Sequence, residues 1–318
     1  MTVRVPAKLN LQLAVGPPRA DGYHDLVTVF HAVSLYDQVR VEPARRDGVT
    51  VTGEGADRVP AGQDNLALRA VAALRAAMAG PATGFAVDPG GVHITIAKRI
   101  PVAAGLAGGS ADAAAALVAC NDLWDVGLSQ RQLLEVAARV GSDVAFALLG
   151  GTAVGRGRGE RLTPALAPAT PYHWVLAFAD GYLSTPEVYA ALDRLRAARA
   201  GGARGTAQAA PAEPDLDATL MSALRSGEAR LVGRALSNDL QPAALSLFPA
   251  LRKTLAAGLE LGALGALVAG SGPTCVFLAA SADRALDLAV SLSGAGVCRS
   301  VARVTGPVAG AAVLPPSK

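Results

Sequence analysis

The run Pro101-Val102-Ala103-Ala104-Gly105-Leu106-Ala107-Gly108-Gly109-Ser110 leads from a strand-like segment, Val92 to Ile96, straight into an alanine-rich stretch of helical character. Such a turn is an anion site. Its glycines let the backbone approach a ligand closely and adopt angles that a Cβ forbids, and the unpaired N–H groups of the helix start point at negative charge. Phosphate is the natural guest. The chain has no G-x-x-x-x-G-K-[ST], and no G-x-G-x-x-G followed about 20 positions on by an acidic residue, which excludes a Walker loop and a Rossmann fingerprint. Taken alone, the run also fits a flexible turn with Ser110 as N-cap.

Two further residues could do chemistry beside a phosphate. Asp143 follows Gly141-Ser142 where a helix is expected to start, and there the dipole and backbone donors hold a carboxylate ionised. Its bland alternative is an exposed residue in a first helical turn. Lys8 is one of only four lysines, with Lys98, Lys253 and Lys318, and lies in a strand-like run where a solvated side chain is the plain alternative.

The elements that must position these groups can be read from periodicity. Residues 1 to 55 alternate as strands (Val3, Val5; Leu9, Leu11, Leu13; Val27, Val29; Val39, Val41; Val49, Val51), parted by turn clusters at 16–18, 21–22 and 46–48. Asp64-Asn65 caps a predicted helix to about Ala79, and the helix after the glycine run is expected to reach about Trp124. Ser129-x-x-Gln132 is a capping box for a helix ending at Gly141. A strand from Gly151 and the basic turn Arg156-Gly157-Arg158-Gly159 close the first half. The second half predicts a strand at 174–179, helices at 185–200, 216–236 and 241–262, strands around Gly270-Ser271-Gly272-Pro273-Thr274-Cys275-Val276-Phe277, a helix at 282–293 and a last strand near 298–304. Residues 201–214 have the composition of a flexible surface loop.

Composition bounds the class. At 318 residues, 51% hydrophobic and a mean hydropathy of +0.34, the chain can fill two cores, yet no apolar run reaches the ~18 residues of a membrane span. Met1-Thr2-Val3-Arg4-Val5-Pro6 enters a strand pattern without the regions of a signal peptide, so a cytoplasmic location is expected. Cys120, Cys275 and Cys298 have no disulfide or zinc spacing and read as small buried hydrophobes, and His31, His93 and His173 read as structural. Arginines are scattered and aromatics amount to 4%, which gives nucleic-acid binding no support.

Three motifs in one order resemble the GHMP kinase superfamily, whose members phosphorylate small alcohols with ATP: Pro6-Ala7-Lys8-Leu9-Asn10, the run 101–110, and Gly270-Ser271-Gly272-Pro273-Thr274. With Arg19-Ala20-Asp21-Gly22-Tyr23-His24, Asp64-Asn65-Leu66 and Gly141-Ser142-Asp143-Val144 added, the chain resembles the branch that phosphorylates the 2-hydroxyl of a cytidine-diphosphate methylerythritol in the non-mevalonate isoprenoid route. The resemblance implies an α+β, two-domain GHMP kinase fold. Its N-terminal domain (1–160) would be ribosomal-S5-like and its C-terminal domain (161–318) a ferredoxin-like α/β sandwich, with the active site in the cleft between them.

The same resemblance implies roles. Asp143 would be the base on the substrate hydroxyl, with Lys8 beside it stabilising the alkoxide and the phosphoryl in flight. Pro101, Val102, Ala103, Ala104, Gly105, Leu106, Ala107, Gly108, Gly109 and Ser110 would hold ATP, with Asn65 and Lys98 near its adenosine end. Asn10, Tyr23, His24, Thr185 and Tyr189 would bind the substrate: a cytosine wants an aromatic face and in-plane partners, which tyrosine and histidine supply. As core aromatics, Tyr23 and Tyr189 have a structural reading too. Gly270, Ser271, Gly272 and Thr274 would pack on the glycine loop, or be merely a tight turn. Mg²⁺ would accompany the nucleotide, and the lack of a visible carboxylate cage is compatible with an ion that binds mainly phosphate oxygens and water. The partners are small molecules, with neither nucleic acid nor membrane, and monomer and homodimer both stay open. Asn238-Asp239 resembles a family segment without a chemical role of its own.

Two positions depart from the family pattern: Ala107 replaces a usual glycine and Ala145 a usual proline. Alanine costs little at negative φ, but at positive φ it strains the loop by ~1 kcal/mol or more. Two other functions compete: a GHMP kinase for another alcohol such as homoserine or mevalonate, which has no base to stack, and a silent nucleotide-binding regulator. The presence of both Lys8 and Asp143 argues against the second.

Overall fold

The computed structural model describes residues 1–79, 89–165, 171–202 and 213–315. Two long strands, β1 (Thr2–Pro18) and β2 (His24–Ala44), pair antiparallel from Thr2↔Arg40 to Pro18↔His24. Around them β3 (Gly48–Gly53), β4 (Gly91–Lys98), β5 (Thr152–Gly157) and β6 (Arg161–Pro164) complete most of one sheet. Side chains alternate along a strand, so Lys8, Asn10 and Gln12 share one face of β1 while Ala7, Leu9 and Leu11 enter the core on the other. Register shifts at Pro6/Ala7 and Asn10/Gln12 twist the strand where these polar groups stand.

The core side of the sheet is covered by helices. These are α1 (Leu66–Met78), α2 (Gly108–Leu123), α3 (Gln130–Val140) and α4 (Ser142–Leu149). Asn65 caps α1 by accepting from Ala67 N–H, and Ser129 and Gln132 close the expected capping box. α2 is alanine-rich because it is buried nearly all round: Ala111, Ala113, Ala114, Ala115, Ala116 and Ala119 are all inaccessible, which lets sheet and neighbouring helices approach its backbone closely.

The second sheet has the order β11-β7-β10-β9, built from β7 (Tyr172–Phe178), β9 (Gly265–Val268), β10 (Cys275–Ala279) and β11 (Ser300–Gly306), all antiparallel neighbours. Numbered within this half the order is 4-1-3-2, the split βαβ pattern of a ferredoxin-like layer, with α5 (Thr185–Gly202) and α10 (Ala282–Gly294) among its helices. The α+β, two-sheet expectation is met. Two short strands cross back to the first sheet: β8 (Ser237–Asn238) joins β1 in parallel and β12 (Ala312–Val313) joins it antiparallel.

Where two long helices were expected, four short ones stand. α6 (Ala218–Ser226) ends at Gly227 in the left-handed region, before α7 (Ala229–Arg234). α8 (Gln241–Leu247) stops at Phe248, which leaves the helical region ahead of Pro249, before α9 (Leu251–Glu260). α5 runs to Gly202, two residues into the expected loop, and 203–212 of that loop lie outside the described residues. Cys120 and Cys275 are buried as expected, but Cys298 is only half-buried. His31 is structural: burial lowers its pKa to about 3, and Nδ1 bonds Thr152 Oγ1 at 2.9 Å. Among the described residues no helix is long and apolar enough to cross a membrane. Enlarging a close-packed position of α2 tests this account: Ala115→Leu should cost about 1–3 kcal/mol by denaturant unfolding, and a neutral result would mean the helix has room that its burial denies.

Candidate active site

A cleft of about 680 Å³ opens where the first sheet, the glycine run and the second half meet. Its wall includes Pro101 to Gly105, Ala107 to Ser110, Lys8, Asn10, Asn65, Asp143, Tyr23, Thr185, Tyr189, Gly270 and Ser271, so most of the expected site residues come together. Ser110 is not the N-cap of α2. Ala107 takes that place, without a side-chain cap, and Ser110 stands three residues inside with the free helix start facing the cleft.

Close backbone approach decides the loop. Gly105 has φ 78°, and a Cβ there would overlap the Ala269 carbonyl. A Cβ on Gly270 (φ 51°) would sit 3.1 Å from Gly105 O and 3.4 Å from Lys8 Nζ. The third motif therefore packs on the glycine run, as the resemblance implied. Leu106 turns away into the core, but its carbonyl accepts the Lys8 N–H at 3.3 Å. Gly272 and Thr274 are off the cleft wall: Gly272 donates its N–H to Ala269 O to close the turn, and Thr274 is buried beside a neighbouring cavity of about 430 Å³.

Beside the glycine run, Lys8 Nζ donates to Asn10 Oδ1 at 2.6 Å and lies 3.8 Å from Asp143 Oδ2. Asn10 in turn donates to Thr28 Oγ1, which donates to the Gln12 carbonyl, so the ammonium is aimed by a chain of satisfied bonds. Phe30 presents its ring 5.6 Å from Nζ. Asp143 is in the first turn of α4, as expected. The usual proline position, Ala145, is the fourth residue of α4, and its N–H reaches Gly141 O at 3.4 Å, a bond a proline would lack.

The aromatic end differs in detail from a simple sandwich. Tyr23 is 56% exposed on the β1–β2 turn, with the Arg158 guanidinium 5.1 Å from its ring centroid. Tyr189 stands on α5, and burial, with a smaller push from Asp143, raises its hydroxyl above the usual range. His24 is behind the wall rather than on it: it is buried, its Nε2 pairs with Asp193 Oδ1 at 3.0 Å, and its ring lies 4.9 Å from that of Tyr189. Thr185 Oγ1 shares a hydrogen bond of 2.9 Å with Ser271 Oγ and so ties α5 to the third motif.

Asn65 combines its cap with a bond from Nδ2 to Pro60 O, which shapes the loop at the other end of the cleft. Lys98 belongs to the wall, yet its Nζ is taken by Asp37 and Asp112. Sequence reasoning missed Asp37, Asp112 and Arg158. Only the basic glycine turn signalled Arg158, and nothing local marks a carboxylate whose partner is 61 residues away. Asn238 gains a structural role: Nδ2 donates to the Val268 and Gly270 carbonyls, while Asp239 accepts from Val15 N–H and Arg196.

Residues 65–151 match the family model for the GHMP kinases N terminal domain, and 220–298 that for GHMP kinases C terminal. The chain is 55% identical over 315 residues to a 4-diphosphocytidyl-2-C-methyl-D-erythritol kinase of Mycolicibacterium smegmatis, covering 99% of this chain and 92% of that one. A crystal structure of 4-(cytidine 5'-diphospho)-2C-methyl-D-erythritol kinase superposes with a TM-score of 0.72 at 35% identity, over 96% of this chain and 98% of that chain. A homoserine kinase from Cytophaga hutchinsonii shares the fold, with a TM-score of 0.70 at 20% identity over 99% and 97%.

Ala107 has φ 58° and ψ 36°, so of the two cases open for the missing glycine the strained one applies. Ala107→Gly should stabilise the protein by about 1 kcal/mol in denaturant unfolding. An unchanged or lowered midpoint would show that the loop carries no such strain.

Proposed function

This chain belongs to the GHMP kinases and, within them, to the 4-diphosphocytidyl-2-C-methyl-D-erythritol kinases, and we propose from that premise how its cleft performs the reaction. It is an ATP-dependent kinase whose acceptor is 4-diphosphocytidyl-2-C-methyl-D-erythritol, phosphorylated on its 2-hydroxyl. The observation that carries the site assignment is the meeting of Lys8 and Asp143 in one cleft with both the glycine loop and the Tyr23–Tyr189 wall.

Phosphoryl transfer passes through a loose transition state, so the protein's work is positioning and charge stabilisation. The loop N–H groups at the start of α2 take the triphosphate. Asp143 accepts the proton of the acceptor hydroxyl. The 3.8 Å between its Oδ2 and Lys8 Nζ is wider than a tight ion pair, and the hydroxyl fits alongside both groups. Lys8, steered by Asn10, faces the developing alkoxide and the phosphoryl oxygens. Tyr23 and Tyr189 hold the cytosine, with His24 and Asp193 bracing Tyr189 from behind. Arg158 stands where the substrate's diphosphate would run between cytosine and hydroxyl, and its charge suits that group.

An Mg²⁺ would be carried on the nucleotide's phosphate oxygens and water, where it would neutralise charge on the transferring group. A homoserine or mevalonate substrate leaves the exposed Tyr23 without a purpose. An assay comparing the three alcohols tests the substrate reading, and turnover of homoserine or mevalonate in preference to the cytidine compound would overturn it.

Two variant sets test the roles. Asp143→Asn and Lys8→Ala should each lower kcat by about 10² or more while leaving the affinity for a non-hydrolysable ATP analogue nearly intact, and near-native turnover in either removes its catalytic assignment. Tyr23→Ala should remove about 1–3 kcal/mol of stacking, raising KM for the cytidine substrate roughly tenfold to a hundredfold with little change for ATP. An unchanged KM for the cytidine substrate would place the base elsewhere.

A further inference from the structure

Beneath the glycine loop lies a buried trio of charges that the reaction scheme above does not use. Lys98 Nζ, at the end of β4, donates to Asp37 Oδ2 of β2 at 2.5 Å and to Asp112 Oδ2 of α2 at 2.7 Å. All three side chains are at most 3% exposed. The ammonium lies directly under the start of α2, since a Cβ on Gly108 would be 2.9 Å from Nζ. Lys98 is therefore committed to carboxylates rather than free to reach the nucleotide.

The two carboxylates are held unequally. Asp37 is fully satisfied as an anion: Oδ1 accepts the N–H groups of Arg99 and Ile100, and Oδ2 accepts Lys98. Asp112 has only the Lys98 bond, and its Oδ1 is buried with no hydrogen-bond partner although the residue belongs to the cleft wall. With both ionised, one ammonium faces two carboxylates and the trio carries a net charge of −1, placed under the N–H groups that meet a triphosphate.

Arg58, Arg158 and Lys8 line the same cleft, but among the described residues no cation other than Lys98 acts on Asp112. The buried residues of α1 and α3, which pack on α2, are all apolar, and β12 is Ala312-Val313. β1 and α4 bring Lys8 and Asp143 to the same cleft, where they face each other. The charges acting on Asp112 are Lys98 and Asp37.

We propose that ATP binding to this protein is coupled to proton uptake by Asp112, the proton residing on Oδ1, so that the trio becomes neutral when the triphosphate lies above it. The proton comes from solvent and returns there when the nucleotide leaves, and no bond other than O–H forms or breaks. Burial, opposed by Lys98 and reinforced by Asp37, already pushes the Asp112 carboxyl well above the usual carboxylate range in the free protein. Burial alone would depress Lys98, but Asp112 and Asp37 outweigh it and the ammonium stays charged. A bound triphosphate adds negative charge and moves Asp112 higher still. Below the pH at which the free protein releases this proton, it is largely present before ATP arrives. Above it ATP must draw one in, and affinity falls with rising pH, by up to about tenfold per unit.

This inference rests on the triphosphate occupying the glycine loop. Calorimetry of a non-hydrolysable ATP analogue, in buffers of different ionisation heat, reads the proton count directly. Uptake approaching one proton is expected at about pH 9, where the nucleotide itself is fully ionised, and clearly less at about pH 7. Asp112→Asn should abolish the uptake and flatten the affinity between the two pH values, while Asp143→Asn should retain both. Absence of uptake in the wild-type protein at about pH 9, or its loss in Asp143→Asn, overturns the proposal even if Asp112→Asn does not fold. Failure of the analogue to bind at either pH would instead remove the ATP assignment of the loop, and the proposal with it.

Discussion

The contact on which the rest of the cleft depends is the approach of two backbones, at Gly105 and at Ala269–Gly270, too close for any side chain between them. It presses the turn after β9 against the glycine loop that precedes α2 and sets Lys8 Nζ at their junction. Close packing of this kind is steep in distance: a single Cβ at Gly105 would have to displace a carbonyl of the other half. Asn238 locks the contact from the far side by taking the Val268 and Gly270 carbonyls, and β8, which carries it, is itself a strand of the first sheet. The two halves thus share hydrogen bonds at the floor of the site, and the glycines of both motifs serve one geometric purpose.

Around that floor the charges divide by task. Lys8 keeps a neutral partner, Asn10, and a carboxylate at 3.8 Å, which leaves its charge available to a ligand. Lys98 has two carboxylates within hydrogen-bond distance and ties β2, β4 and α2 together at the root of the glycine loop. The same residue type, both times on a strand and both times nearly inaccessible, has opposite functions because of what it faces. Arg158 adds a third arrangement, an arginine over an exposed tyrosine at the aromatic end of the cleft.

The loop also carries backbone strain. Ala103 and Ala107 both adopt positive φ, at 53° and 58°, and both line the cleft. Each costs about 1–2 kcal/mol that only surrounding contacts can offset, and those contacts are the buried α2 and the turn packed against Gly105. Strained backbone on a rigid, alanine-packed helix keeps the loop N–H groups aimed without a ligand present, which is what the proposed phosphoryl transfer would ask of it.

Much of this was legible in the order of residues. The strand alternation, the capping box at Ser129, the helix start at Asp143 and the glycine run are local patterns, in which period, cap and turn chemistry act within a few residues, and they hold in the structure. The resemblance of three motifs in one order pointed to the family for the same reason: each motif is contiguous. What local pattern does not reach is pairing across the chain. That Lys98 is held by Asp37 and Asp112, that Asp193 pairs with His24 Nε2, and that Ala107 has a positive φ are facts of tertiary packing that no local pattern announces. Periodicity says which face a side chain takes, but a charge is made available or silent by the groups that tertiary packing brings within about 4 Å of it, where Coulomb energy in a low-dielectric interior is largest.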